Sequence, residues 1–402
     1  MTLSMSPTHE FGAEMTYQDL LLPIIEDWSF FEKKPPKSIE RVALKTLPEL
    51  EPDLATVIQG VRRCGKSTLL AQIMSKRKLP RDSCFFVNFE DPRLSDALDP
   101  NLLDAIVAFA DSKVADGKPR YFFLDEIQAV KDWEKWLRVK LDKAKNDYFV
   151  ITGSNAALLS GELGTVLTGR HLPVELFPFD LSEYCKARPE GDLETFLREG
   201  GFPRALTIDD APRLLRQYFT DIIERDVRRH VAARSSNLLA QVAKAVFDSA
   251  GSELSARKLV KRVDTTVDTM MTYLDALTKA YMILPCPFFT FSERKRLVRN
   301  TKWYPIDCGL RASVITPGGA DVGKNFETVV FHTLRRKYQE VFYWRGEGEV
   351  DFVTLEGSSP RPIQVSWDAM RDRHKKAVGE FQETFPDSLE PLFITKDNFL
   401  RL

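Results

Sequence analysis

Four short runs of almost wholly apolar residues recur in the first part of the chain, at 55–58, 84–87, 121–124 and 148–151, each closed by polar residues. Continuous rather than alternating apolar runs of this length are the pattern of strands buried on both faces of a parallel sheet. Between them the spacing turns helical: Leu69, Leu70 and Ile73 follow the first run, and residues 101–110 form a helical segment after the second. Strand and helix therefore alternate at least four times, which predicts an α/β fold, a parallel sheet with helices on both faces. Residues 216–229 read as a further helix.

Downstream the pattern changes. Leu239, Val242 and Val246 mark a helix over 238–250, residues 255–260 a short second helix, and Met270, Leu274 and Leu277 a third over 266–281. Two β-like runs, 281–291 and 297–304, are joined by residues 292–296. Three helices and a hairpin predict a winged-helix variant. A last α/β stretch follows, with a helix over 324–338 and strands at 342–344, 349–353 and 362–366. The expected division is an N-terminal extension at 1–45 and an α/β core at 46–180. A helical lid or linker at 181–235, a winged-helix-like domain at 236–305 and a small α/β domain at 306–402 complete it.

A chain of 402 residues exceeds what one hydrophobic core usually supports, so several domains fit its length. A hydrophobic content of 43% with 29% charged residues suits a globular protein. The formal net charge is −1, so no global field draws the chain to nucleic acid or membrane, and such binding would need a local basic patch. The five cysteines, at 64, 84, 185, 286 and 308, include no C-x-x-C pair. That spacing suggests neither a disulfide framework nor a zinc site and fits a reducing compartment. With no signal-peptide pattern and no apolar run long enough to span a bilayer, a cytoplasmic protein without membrane attachment is expected.

The first apolar run leads into Gly60-Val61-Arg62-Arg63-Cys64-Gly65-Lys66-Ser67-Thr68, which fits G-x-x-x-x-G-K-[ST]. In a strand–loop–helix context this loop cradles phosphate groups. Its backbone N–H groups, from Gly60 through Arg62, Arg63, Cys64 and Gly65 to Thr68, and the helix N-terminus present positive partial charge. Lys66 is expected to reach the β- and γ-phosphates of ATP, and the Ser67 hydroxyl to ligate Mg²⁺. Asp125 and Glu126 close the run at 121–124. A buried strand ending in carboxylates beside a phosphate loop supplies Asp125 for the Mg²⁺ shell and Glu126 to polarise the attacking water. The fourth run ends in Thr152-Gly153-Ser154-Asn155. Asn155 is the polar residue expected to contact the γ-phosphate or the water, while Ser154 serves equally well as a helix N-cap.

These residues, with Asn88-Phe89-Glu90-Asp91, Trp133, Leu167-Thr168-Gly169-Arg170, Phe177-Pro178-Phe179, Gly200-Gly201-Phe202-Pro203 and Asp221 to Asp226, resemble the bacterial and archaeal AAA-type ATPases. Members of that group carry a C-terminal domain of formerly unknown function. The resemblance covers nearly the whole chain after about residue 40. It implies ATP hydrolysis with Mg²⁺ by a homo-oligomer, in which an arginine touches the γ-phosphate of a neighbouring subunit. Arg170 is the first candidate for that role and Arg225 the second. A surface ion pair for Arg170 and an intrahelical charge network around Glu224-Arg225-Asp226 are the plainer readings.

The third helix of the winged-helix-like segment offers Asp268 and Asp275 and gains only Lys279. A helix that reads base edges normally presents Arg, Asn or Gln. The basic residues sit in and beside the hairpin, at Arg294, Lys295, Arg296, Arg299 and Lys302. Non-specific phosphate contact with DNA is one expected mode, and use of the segment for protein contacts or as an ATPase lid is the other. In the last α/β segment, Glu327 on a helix, Asp351 on a strand and the next strand's Ile363-Gln364-Val365-Ser366 resemble the restriction-endonuclease-like order. That order needs a carboxylate and a lysine where Gln364 and Ser366 stand, so the domain is expected not to cleave DNA. The overall expectation is an ATPase coupled to DNA association or remodelling. The alternative is a nucleotide-dependent switch acting on a protein partner with little turnover.

Overall fold

The computed structural model describes residues 17–28, 38–154, 166–167, 169–231, 236–261, 263, 265–316 and 321–402. The chain divides into two compact units, one of residues 1–60 and 65–176, the other of residues 61–64 and 177–402.

In the first unit the four apolar runs become β1 (Ala55–Gln59), β2 (Cys84–Asn88), β3 (Arg120–Asp125) and β4 (Asp147–Gly153), joined by β5 (His171–Glu175). The sheet order is β2-β3-β4-β1-β5, and every pairing is parallel. Phe85, Phe122 and Phe149 stand in register across β2, β3 and β4. Their rings stack at centroid distances of 5.6 and 5.1 Å. Such cross-strand aromatic pairs tie neighbouring strands together beyond simple area burial. Helices α1 (Tyr17–Trp28), α2 (Lys66–Lys76), α3 (Pro100–Lys113) and α4 (Trp133–Lys143) complete the unit. The Trp28 ring stacks on Phe86, and its Nε1 donates to Asp91 Oδ2 at 3.0 Å. β4 lies between β1 and β3, so the strand ending in Asp125 is not the neighbour of the strand that leads into the phosphate loop.

The second unit opens with α5 (Leu181–Ala187), α6 (Leu193–Glu199) and α7 (Ala211–Asp221). The helix expected at 216–229 is α-helical only to Asp221; it widens to a π-helical turn over Ile222–Val227 and tightens to a 3-10 turn over Arg228–His230. The glycine pair before Phe202 has a steric cause. Gly200 has φ of +75°, and a Cβ there would fall on the Asp307 carboxylate. That carboxylate accepts the N–H groups of Gly201 at 2.6 Å and Leu310 at 2.7 Å. Burial pushes the Asp307 carboxyl up to about 6.

Next come α8 (Ser236–Asp248), β6 (Glu253–Leu254), α9 (Ala256–Val260), α10 (Val267–Lys279) and β7 (Ile283–Cys286). α11 (Glu293–Val298), β8 (Thr301–Pro305) and α12 (Cys308–Val314) follow. β6, β8 and β7 form an antiparallel sheet in that order. The hairpin differs from expectation. β7 stops at Cys286, and the residues after it bond elsewhere: Tyr343 N–H donates to the Pro287 carbonyl at 3.0 Å and Phe289 N–H to the Tyr343 carbonyl at 2.6 Å. Residues expected as a plain connection form α11 instead, because Ser292 caps it by accepting from Lys295 N–H. The last segment is α13 (Asp321–Lys337), β9 (Phe342–Arg345), β10 (Glu349–Glu356), β11 (Ser359–Val365), α14 (Asp372–Thr384) and β12 (Leu392–Ile394). Its sheet runs β12-β11-β10-β9, antiparallel except for the β11–β12 pair.

Candidate functional site

The carboxyl ends of β1, β3 and β4 carry the candidate chemistry. Register places Ile58 beside Thr152 and Leu124 beside Ile151, so the strands finish at a common edge. At that edge the chain turns from β1 into the phosphate loop. Gly65 has φ of +101°, a backbone state open to glycine and closed to residues bearing Cβ, and α2 starts at the next residue.

Lys66 is 4% exposed. Its Nζ donates to the Gly60 carbonyl at 3.1 Å and lies 3.4 Å from Glu126 Oε1. Ser67 Oγ donates to Asp125 Oδ2 at 2.6 Å. Thr152 Oγ1 donates to Asp125 Oδ1 and accepts the Glu126 N–H at 3.0 Å. Glu126 sits in the left-handed region at φ of 55°, and Gln128 Nε2 donates to its Oε2. The strand end is thus bent so that two adjacent carboxylates meet different partners, Asp125 the hydroxyls and Glu126 the lysine. Asp125 is fully buried, and its carboxyl is pushed up to about 6, first by burial and then by Glu126. The two hydroxyl bonds and Lys66 pull it the other way.

This donor set fits Mg²⁺: a hydroxyl and a carboxylate, both hard oxygen donors, stand within hydrogen-bond distance of each other beside the loop lysine. Ser67 and Asp125 would hold the ion, which would offset the charge of bound phosphates. Thr68 follows on α2, half-buried.

Other residues expected at the site are occupied differently. Residues 61–64 group with the second unit. There the Arg62 guanidinium, 4% exposed, forms a two-pronged pair with Asp226, Nε to Oδ2 at 3.0 Å and Nη2 to Oδ1 at 3.1 Å. Arg63 is exposed, with its guanidinium 6.0 Å from the centre of the Tyr218 ring. Cys64 is buried, and its N–H donates to the Val61 carbonyl at 3.3 Å. In the first unit Arg170 Nη2 lies 2.6 Å from Asp142 Oδ1. Of the charged trio 224–226, Glu224 pairs with Arg228 along the helix, whereas Asp226 turns inward to Arg62. Asn155 lies outside the described residues.

Thr152 and Gln128, which hold the two carboxylates, were not singled out from sequence. Position alone pointed to them, since Thr152 is the next-to-last residue of β4 and Gln128 follows Glu126 by two residues.

The basic residues assigned to the hairpin also divide. Lys302 is fully buried, so it cannot reach a nucleic acid phosphate. Arg296 lies over the Phe342 ring at 4.9 Å and Arg299 over Phe288 at 4.7 Å. Arg294 and Lys295 are exposed, beside Phe291, Leu297 and Val298, which are exposed as well.

Parts of the chain resemble known sequences. Residues 53–185 match the AAA domain, and residues 190–320 match a domain of unknown function. The segment that holds the sheet and loop just described is therefore similar to an AAA-type domain, which suggests nucleotide binding. It is 29% identical over 346 residues to an uncharacterized protein of Haemophilus influenzae, spanning 80% of this chain and 85% of that protein. It is also 29% identical over 370 residues to an uncharacterized protein of Methanocaldococcus jannaschii, spanning 84% of this chain and 80% of that one. A crystal structure of a Vibrio cholerae protein aligns over 86% of this chain and 91% of its own, at 14% identity and a TM-score of 0.17. Among the described residues no helix is long and apolar enough to cross a membrane.

Proposed function

We propose that the chain is a Mg²⁺-dependent ATPase of the AAA type. The observation that carries this reading is the convergence of Lys66, Ser67, Asp125 and Glu126 at one sheet edge. Lys66 supplies the cation for the β- and γ-phosphates, and Ser67 and Asp125 supply the metal's oxygen ligands. Glu126 orients and polarises the attacking water. Asn155 and Arg170 are proposed to act on the γ-phosphate, Arg170 across a subunit boundary in a homo-oligomer, which requires its pair with Asp142 to open. The test is Glu126→Gln, which keeps the side chain's size and loses the base. ATP should stay bound while turnover falls by about 10²–10⁴-fold. Wild-type turnover in this variant would remove Glu126 from the role.

Two targets for the cycle remain distinct. DNA association rests on Arg294 and Lys295, exposed on α11. A switch acting on a protein partner is favoured by α10, which exposes Val267 and Met271 along with Asp268 and Asp275. That acidic and apolar surface suits a protein better than a phosphate backbone. ATPase rates with and without single-stranded, double-stranded and branched DNA separate the two readings. Stimulation that weakens with salt supports DNA, and slow turnover indifferent to DNA supports the switch.

A further inference from the structure

The last α/β segment holds a cluster of carboxylates whose cation comes from another sheet. Lys302, on β8, is 0% exposed. Its Nζ lies 2.6 Å from Glu349 Oε1 and 3.6 Å from Glu327 Oε1, and 5.3 Å from the centre of the Tyr343 ring. Glu327 Oε1 also accepts from Tyr304 OH at 2.7 Å. Asp351 stands two residues beyond Glu349 on β10, and its Oδ2 accepts the Val365 N–H at 2.7 Å and the Gln364 amide. Gly251 closes over Glu327, where a Cβ would come within 2.9 Å of Oε1.

The nuclease-like order of Glu327 and Asp351 implies a divalent metal here, and the residues present do not fit one. A divalent ion needs several oxygens free to turn towards it. The Oε1 atoms of Glu327 and Glu349 are taken by the ammonium, and Asp351 Oδ2 is taken by two N–H donors. An ammonium and a metal ion drawn to the same oxygens would also repel each other at short range in a buried site.

We propose that Lys302 is a built-in cation standing where a divalent metal would otherwise bind, and that it fastens the β6-β8-β7 sheet to the α/β segment through Glu327 and Glu349. Its charge is stable there. Burial alone would strip the proton from a lysine, but the carboxylates of Glu327, Glu349 and Asp351 outweigh it and hold the ammonium well above its usual range. Asp351 is itself raised, by burial and then by Glu327. Removing Lys302 frees the Oε1 atoms of Glu327 and Glu349, which with the second carboxylate oxygen of Asp351, Oδ1, should then form a divalent-cation site. This inference is independent of the ATPase reading.

The experiment uses the full chain without nucleotide and Mn²⁺ as the probe, read by electron paramagnetic resonance and by thermal unfolding. Wild type and Asp351→Asn should bind the same amount of Mn²⁺, and wild type should melt at the same temperature in Mn²⁺ as in a chelator. Lys302→Ala should melt lower in chelator, recover in Mn²⁺, and gain a Mn²⁺ site that disappears in Lys302→Ala/Asp351→Asn. Lys302→Met, which keeps the aliphatic stem, is read alongside in case the alanine variant fails to fold. A wild-type Mn²⁺ site lost in Asp351→Asn would overturn the proposal, and this comparison needs no Lys302 variant. So would a folded Lys302 variant that gains no Asp351-dependent site.

Discussion

Lys66 and Glu126 face each other, Nζ to Oε1 at 3.4 Å, so the cation proposed for phosphate is paired with the carboxylate proposed for water. Both side chains are almost wholly buried. The two charges hold each other in a site that would otherwise disfavour either one alone. Under the ATPase reading, bound phosphates take Lys66 over and leave Glu126 to face a water. Lys66→Ala should then weaken MgATP binding by about 10–100-fold, the span expected for losing a charge-assisted contact of about 1.5–3 kcal/mol. Isothermal titration measures it, and unchanged affinity would take the loop out of nucleotide binding.

The Asp125 carboxyl, pushed up to about 6 by burial and by Glu126, gives the site a pH dependence with two signs. Its ordinary value is 3.8, so between pH 4 and 6 the folded chain holds this proton while the unfolded chain has lost it. Without ligand, this group's contribution to stability therefore declines as pH rises through that window and is constant above it. Metal binding runs the other way, because only the ionised carboxylate is a ligand. The rise in melting temperature on adding MgATP should be full above pH 7 and shrink as pH falls through 6. Asp125→Asn should show little such rise at any pH. A wild-type response that is flat from pH 7 to 5 would remove Asp125 from the metal shell.

The pair of Arg62 with Asp226 joins residues 164 apart in sequence and is buried on both sides. Taking away the carboxylate leaves a guanidinium in a site that offers little water, at a cost of about 3–5 kcal/mol. Asp226→Ala should lower the melting temperature markedly. Arg62→Met/Asp226→Leu, which removes both charges and keeps the volume, should recover most of the loss. If the double variant is as unstable as the single, the pair's charge complementarity is not what holds these residues.

How much of this was legible in sequence follows from how local each signal is. β1 to β4 lie within one or two residues of the apolar runs that announce them, because strands buried on both faces leave no polar position to blur the pattern. β5 was missed. It is an edge strand, half-exposed, with His171 and Pro173 in a five-residue run, and it carries no such signature. That Lys66, Ser67, Asp125 and Glu126 would meet was legible because the first two belong to a loop motif of fixed spacing and the last two close a wholly apolar strand run. The partners that decide what other charges do were not readable. Lys302 looked like one more basic residue of a hairpin, and Asp226 like one more member of a helical charge cluster. Nothing near either in sequence tells that Glu349 or Arg62 waits on a distant element.

The last α/β segment should not cleave DNA. The strand position that calls for a carboxylate holds Gln364, whose amide donates to Asp351 and so occupies an oxygen a metal would need. The position that calls for a lysine holds Ser366, whose hydroxyl donates to the Ala369 carbonyl at 3.1 Å. Lys375 and Lys376, the residues best placed in sequence to replace it, are exposed on α14. The lysine that does enter the cluster, Lys302, is bound to Glu349 and fully buried, without the freedom to support an attacking hydroxide. With Asp351 Oδ2 held by N–H donors and Lys302 committed to Glu349, the cluster is poorly arranged to align and activate a hydrolytic water. Incubation with plasmid, linear and branched DNA, in Mg²⁺ and then in Mn²⁺, should return the substrates intact. Nicking by the wild type that vanishes in Asp351→Ala would mean that the cluster opens in solution and that this segment is a working nuclease.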